Sequence, residues 1–241
     1  MNSTAEQILA CLREVRAERA RRAEDDALAA AVAAVKQFQH ARFTHSYADL
    51  LAQPRYARAA RFFLDDLYGP TDFTQRDEQF ARVVPALVRL FPAELVGTVL
   101  ELAQLHALSE RLDTAMALAL GGCVLDGRSY GRAWRQVGDA PARARQIDLM
   151  LAVGLALDRY TRSAFLRHSL RLMRGPAQAA GLGALQGFLE TGFDTFKAMN
   201  GAQAFLGLIE QRERALAAHL FGGGDAELGG SPVAPASGQP P

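Results

Sequence analysis

Apolar positions along the chain recur every three or four residues, and no run shows the period of two that a strand series needs. Ile8, Leu12 and Val15 make a first short stripe, and Leu28, Val32 and Val35 a second one out of phase with it. Tyr56, Ala60, Phe63 and Leu67 share a face, as do Phe80, Val84, Leu87 and Phe91, with Pro85 expected to kink the latter helix. Leu105, Leu108, Leu112 and Met116 line a long helix from Ala93 to Leu120 that Gly121-Gly122 ends. Asp139 caps a further helix expected to run to Arg174, and its Leu149–Leu157 part is apolar nearly all round, which marks it as central. Leu185, Leu189, Phe193 and Phe196, then Phe205, Leu208, Ile209, Leu216 and Leu220, supply the last two stripes. The pattern predicts an all-α fold: a single bundle of seven to eight helices over residues 25–222. Residues 1–24 read as a charged helical arm, opened by a Ser3/Glu6 capping box. Residues 223–241 lack periodicity and read as a disordered Gly/Pro/Ala/Ser tail.

The densest mix of aromatic, acidic and turn residues is Arg61–Asp77. Tyr68-Gly69-Pro70 stops one helix and Thr74 is placed to cap the next, so Asp65, Asp66, Asp72, Asp77 and Arg76 gather at a corner. The acid spacing matches no EF-hand loop. This FFLDDLYGPTDFTQRD run resembles a family of uncharacterised proteobacterial proteins with a pattern like FFLxDLYGPxDFxxRD. The resemblance continues through Leu102–Met116, Met173–Pro176 and Phe188–Ala202. It implies no activity, since none is attached to that family.

Composition narrows the classes. Net charge is +1, so no global field steers nucleic acid or acidic membranes to the chain. Cys11 and Cys123 form no CxxC pair, and no apolar run is long enough to span a bilayer. The expectation is a cytoplasmic protein without membrane contact.

Candidate chemistry is sparse. His106, Glu110 and Asp113 lie at i, i+4 and i+7 on one helix face beside the apolar stripe. The bland reading is a packed histidine with a carboxylate partner; the sharp one is a haem axial ligand or part of a metal site. No HExxH or paired Glu-x-x-His supports a metal centre. Gly127-Arg128-Ser129-Tyr130-Gly131 matches G-x-S-x-G, but the nucleophile elbow needs a preceding strand. Trp134, the only tryptophan, either anchors the core or lines a pocket. From Arg128 to Arg174 ten Arg stand against three Asp, and Arg167, Arg171 and Arg174 share a face. A solvated face explains this better than an anion site, and the lack of interleaved aromatics disfavours nucleic acid.

Three classes follow. The leading one is a non-enzymatic helical protein binding a small ligand, a protein partner or a second copy of itself. Its ligand site would draw on Phe62, Asp66, Tyr68, Asp72, Arg76, His106, Glu110, Asp113 and Trp134, with Arg167, Arg171 and Arg174 as an anion surface. The second is a haem or metal sensor using His106. The third is an enzyme using Asp65/Asp66/Asp72 or His106/Glu110.

Overall fold

A computed structural model describes residues 3–67 and 73–226. Among them every regular element is helical: α1 (Thr4–Ala23), α2 (Asp26–Ser46), α3 (Ala48–Ala52), α4 (Ala57–Arg61), a π-helical turn (Phe62–Leu67), α5 (Thr74–Leu90), α6 (Ala93–Leu120), α7 (Gly127–Val137), α8 (Ala140–Tyr160), α9 (Ala164–Leu172), α10 (Arg174–Ala179), α11 (Gly183–Met199) and α12 (Gln203–Phe221). The all-α expectation holds, but seven to eight helices was an undercount.

Some of the extra breaks carry a Pro or Gly, at Pro54 between α3 and α4 and at Gly181 (φ 68°) between α10 and α11, whereas the one after Tyr160 carries neither. The helix expected over 139–174 stops at Tyr160, because Asp158 and Ser163 are used elsewhere. Asp158 Oδ1 accepts from the Ala202 backbone N–H at 3.0 Å and so ties the end of α8 to the start of α12. Ser163 accepts from the Leu166 N–H and opens α9. Thr74 does not cap α5. It is the first helical residue, and its hydroxyl accepts from Arg19 Nη1 at 3.2 Å. The Ser3 capping box, the Asp139 cap and the helix end at Gly121 form as expected, and Gly138 and Asn200 also take left-handed backbone, ending α7 and α11.

The hub is α6, about 42 Å long at 1.5 Å per residue. It packs against α1, α2, α7 and α8 and buries residues on several sides, among them Leu105, Leu112 and Met116. Three apolar clusters form around it. One joins Ile8 and Leu12 of α1 to Val84 of α5 and Val96 and Ala103 of α6. A second joins Val35 and Phe38 of α2 to Met116, Tyr130, Trp134 and Leu220. The largest joins Tyr47, Phe62, Phe63 and Leu64 to Leu149, Phe196 and Phe205. The π-helical turn buries three consecutive residues: Phe62 stacks on Phe188, Phe63 packs on Phe196 and Phe205, and Leu64 joins the same cluster.

The arm is not a projecting one. Ile8 and Val15 are almost fully buried, and α1 lies along α6 and α5. At the other end, Ala226 is 2 % exposed and its N–H donates to the Gly127 carbonyl at 3.0 Å, so residues 223–226 pack on α7 rather than beginning a tail. The rest of the expected tail lies outside the described residues.

Candidate functional site

Charged side chains are buried where α1, α2, α5 and α6 meet, and the sequence placed them there by helical phase. On α1 the stripe Ile8, Leu12, Val15 continues in register to Arg19 and Arg22. On α6, Ala103, Glu110 and Ala117 share one line seven residues apart. Glu110 is 3 % exposed. Lys36 Nζ donates to its Oε1 at 2.9 Å, Arg22 Nη1 to its Oε2, and Arg22 Nη2 to its backbone carbonyl at 2.6 Å. Burial opposes the Glu110 charge, but Lys36 and Arg22 outweigh it and hold the carboxyl at about 2.

From Glu110 the network runs in two directions. Towards α5, Arg19 bridges Glu110 at 3.5 Å and Asp77 at 2.9 Å, and Asp77 Oδ2 is 2.8 Å from His106 Nε2. Arg19 Nη2 also lies 3.4 Å from that nitrogen, but Nε2 cannot accept from Arg19 while donating to Asp77. The shorter contact places the proton on Nε2. Burial works against the Asp77 charge; the His106 hydrogen bond and the Arg19 and Arg76 guanidiniums outweigh it and lower its pKa. Towards α7, Gln39 Nε2 donates to Asp113 at 3.2 Å and to the Tyr130 hydroxyl at 3.4 Å. Burial pushes the Asp113 carboxyl up, while Lys36 pulls the other way.

A cavity of about 150 Å³ opens between α5, α6 and α11 at the Asp77–His106 end of this network. Phe80, Leu87, Val99, Leu102 and Leu185 give it apolar walls, and Arg76, Asp77 and His106 lie at its polar end. Arg76 is held between the rings of Phe73 (4.0 Å) and Phe188 (4.5 Å), and its Nη1 donates to the Asp66 carbonyl at 2.7 Å. Burial lowers its pKa, against the pull of Asp77.

The expected site residues therefore separate. Arg76, His106, Glu110 and Asp113 belong to one network, and Phe62 joins them through Phe188. Asp66 contributes its carbonyl to Arg76, and burial beside Asp65 raises its carboxyl pKa. Asp65 is exposed and lies 3.3 Å from His40. Trp134 is at the far end, beyond Tyr130, in a separate cavity. Tyr68 and Asp72 lie outside the described residues. Arg174 pairs with Glu190 at 2.7 Å, while Arg171 is exposed. Ser129 completes a capping box rather than an elbow: its hydroxyl accepts from the N–H of the Asp126 N-cap at 2.9 Å, and no strand precedes it among the described residues. Asp77, Arg19, Arg22 and Lys36 were missed as site residues. The in-phase stripe of α1 was the signal for two of them.

Residues 18–227 match a family described as a domain of unknown function, DUF8198. The chain belongs to that family. No curated protein and no solved structure matches the chain significantly. The DUF8198 match thus spans the whole polar network, from Arg19 to Tyr130, and leaves most of α1 before Glu18 outside it. Among the described residues of this DUF8198 chain no helix is long and apolar enough to cross a membrane.

Proposed function

We propose that this DUF8198 protein is a non-enzymatic, cytoplasmic helical binding protein whose α5–α6–α11 cavity takes a small ligand with an apolar body and one hydrogen-bonding end. The observation that carries this reading is a cavity of about 150 Å³ lined mostly by apolar side chains, with Arg76, Asp77, His106 and Ser109 its few polar groups. That is the usual design of a small-molecule site, apolar walls with a few placed polar groups.

The alternatives have less support. A general base works best with a pKa near the operating pH, and Glu110 is held at about 2 by its ion pairs. A haem or metal would compete with Asp77 for His106 Nε2. No group of three His, Cys, Asp or Glu side chains is placed to hold a metal among the described residues.

Thermal unfolding with benzyl alcohol, indole and hexanol tests the cavity. At least one is expected to raise Tm in the native chain and to do so much less in Val83→Phe, which fills the cavity. No stabilisation by any of the three would remove the reading. Native mass spectrometry of the as-purified protein at two concentrations separates the binding classes. A co-purified small mass supports the ligand reading, whereas a co-purified protein or a dimer would replace it with the partner reading.

A further inference from the structure

Between α2, α7, α8 and α12 lies a separate cavity of about 80 Å³. One of its lining residues is Trp134, which is 9 % exposed, and whose buried indole Nε1 has no hydrogen-bond partner among the described residues. A buried donor left without an acceptor costs about 1–3 kcal/mol, so the cavity is short of an acceptor. Arg143, 5 % exposed, stacks on the same indole, with its guanidinium carbon 3.9 Å from the ring centroid and its Nη1 donating to Gln146 Oε1 at 3.2 Å. A guanidinium stacked on an aromatic face carries its N–H groups at its edge, the geometry that meets a carboxylate.

The charges around the cavity favour an anion. Its lining holds two guanidiniums, Arg42 and Arg143, against one carboxylate, Glu213. Glu213 is already covered: Arg42 reaches both its oxygens at 2.7 and 3.3 Å, and the Tyr47 hydroxyl donates to it at 2.8 Å. The other acid near Arg143 is Asp113, which Gln39 approaches at 3.2 Å and Lys36 at 4.0 Å. Half-buried His40 also lines the cavity and lies 3.3 Å from Asp65. Gln39, Tyr130 and Gln146 add neutral polar groups to the lining, and Leu64, Ile147 and Met150 give it an apolar patch.

We propose that this cavity binds a short-chain carboxylate, its oxygens between Trp134 Nε1 and the Arg143 guanidinium and its hydrocarbon against Leu64, Ile147 and Met150. The site shares no residue with the α5–α6–α11 cavity and does not depend on it. Gln146 Nε2 donates to Ser109 Oγ at 2.8 Å, and Ser109 lines the apolar cavity, so one hydrogen bond separates the two.

Trp134 is the only tryptophan, so its fluorescence reports on this cavity alone. The full-length protein is titrated with sodium butyrate at fixed ionic strength and, in parallel, with uncharged butyramide. Butyrate is expected to give a saturable change, with butyramide about tenfold weaker or worse, the size of one lost charge-assisted hydrogen bond. Arg143→Gln is expected to weaken butyrate by a similar factor, and Val83→Phe to leave it unchanged. Trp134→Phe, followed by calorimetry, removes the indole N–H while keeping an aromatic ring under Arg143, and decides the matter if Arg143→Gln does not fold by circular dichroism. No saturable change with butyrate, equal responses to butyrate and butyramide, or full affinity in folded Trp134→Phe would overturn the proposal. If Val83→Phe abolished butyrate binding, the ligand would belong to the apolar cavity instead, which also overturns it.

Discussion

Glu110 shows how a buried acid is kept charged in this protein. Taking a carboxylate out of water is costly unless its partners compensate. Here Arg22 and Lys36 do so, with Arg19 at the edge. The folded carboxyl sits at about 2 against an ordinary 4.5, so it adds stability that is fully present above about 4.5 and is lost as pH falls towards 2. Asp77, whose pKa is also lowered, acts in the same direction. Urea unfolding between pH 7 and pH 2.5 is expected to show stability falling by about 3 kcal/mol through this window on account of Glu110. Glu110→Gln is expected to be about 3–5 kcal/mol less stable at pH 7, because it leaves Arg22 and Lys36 facing a neutral amide, and to lose much of that acid dependence. An unchanged acid profile in the variant would show that Glu110 does not carry it. At this scale the sequence was only half legible. His106, Glu110 and Asp113 stood out by spacing, whereas Arg19 and Arg22 looked like part of a solvated run. Only their register with Ile8, Leu12 and Val15 distinguishes them from Arg13 and Arg16, which are exposed.

Helices were legible where the chain marks its own ends and illegible where tertiary contacts end them. Gly121 takes left-handed backbone at the expected end of α6, and Gly138 and Asn200 do so at the ends of α7 and α11. The break after Tyr160 depends on Asp158 reaching α12, a contact 44 residues away that no local pattern encodes. The α11 glycines are no better guide: Gly183 and Gly187 share a face by spacing but meet nothing, whereas Gly192 lies under the Phe62 ring. The clearest glycine requirement is at the start of α7. A Cβ on Gly127 would overlap the Ala226 carbonyl oxygen, and one on Gly131 would come within 2.7 Å of the Gly224 carbonyl oxygen. Gly127→Ala is therefore expected to displace residues 224–226 from α7, lowering stability by about 1–3 kcal/mol and exposing Ala226. Limited proteolysis checks this: faster cleavage after Phe221 is expected in the variant, and native-like protection would refute the contact.

Across the whole molecule, α6 holds the other helices and α1 closes the side that carries the network. Leu12 lines the apolar cavity, while Ile8 and Leu12 pack on Val84, Val96 and Ala103. Removing residues 1–17, which lie outside the family match, withdraws Ile8, Leu12 and Val15 from the core. The expected loss is on the order of 5 kcal/mol, at about 1.5–3 kcal/mol per buried aliphatic side chain. Calorimetry of the truncated chain reads it, and an unchanged Tm would mean that α1 is dispensable. The pairing of α1 with α6 also sets a timetable. Arg22 and Glu110 are 88 residues apart in sequence. Growing at roughly 5–20 residues per second, a nascent chain exposes its first helix roughly 4–18 s before the helix that must receive it exists. During that interval Arg19, Arg22 and the apolar stripe of α1 stand without the helix that will bury them.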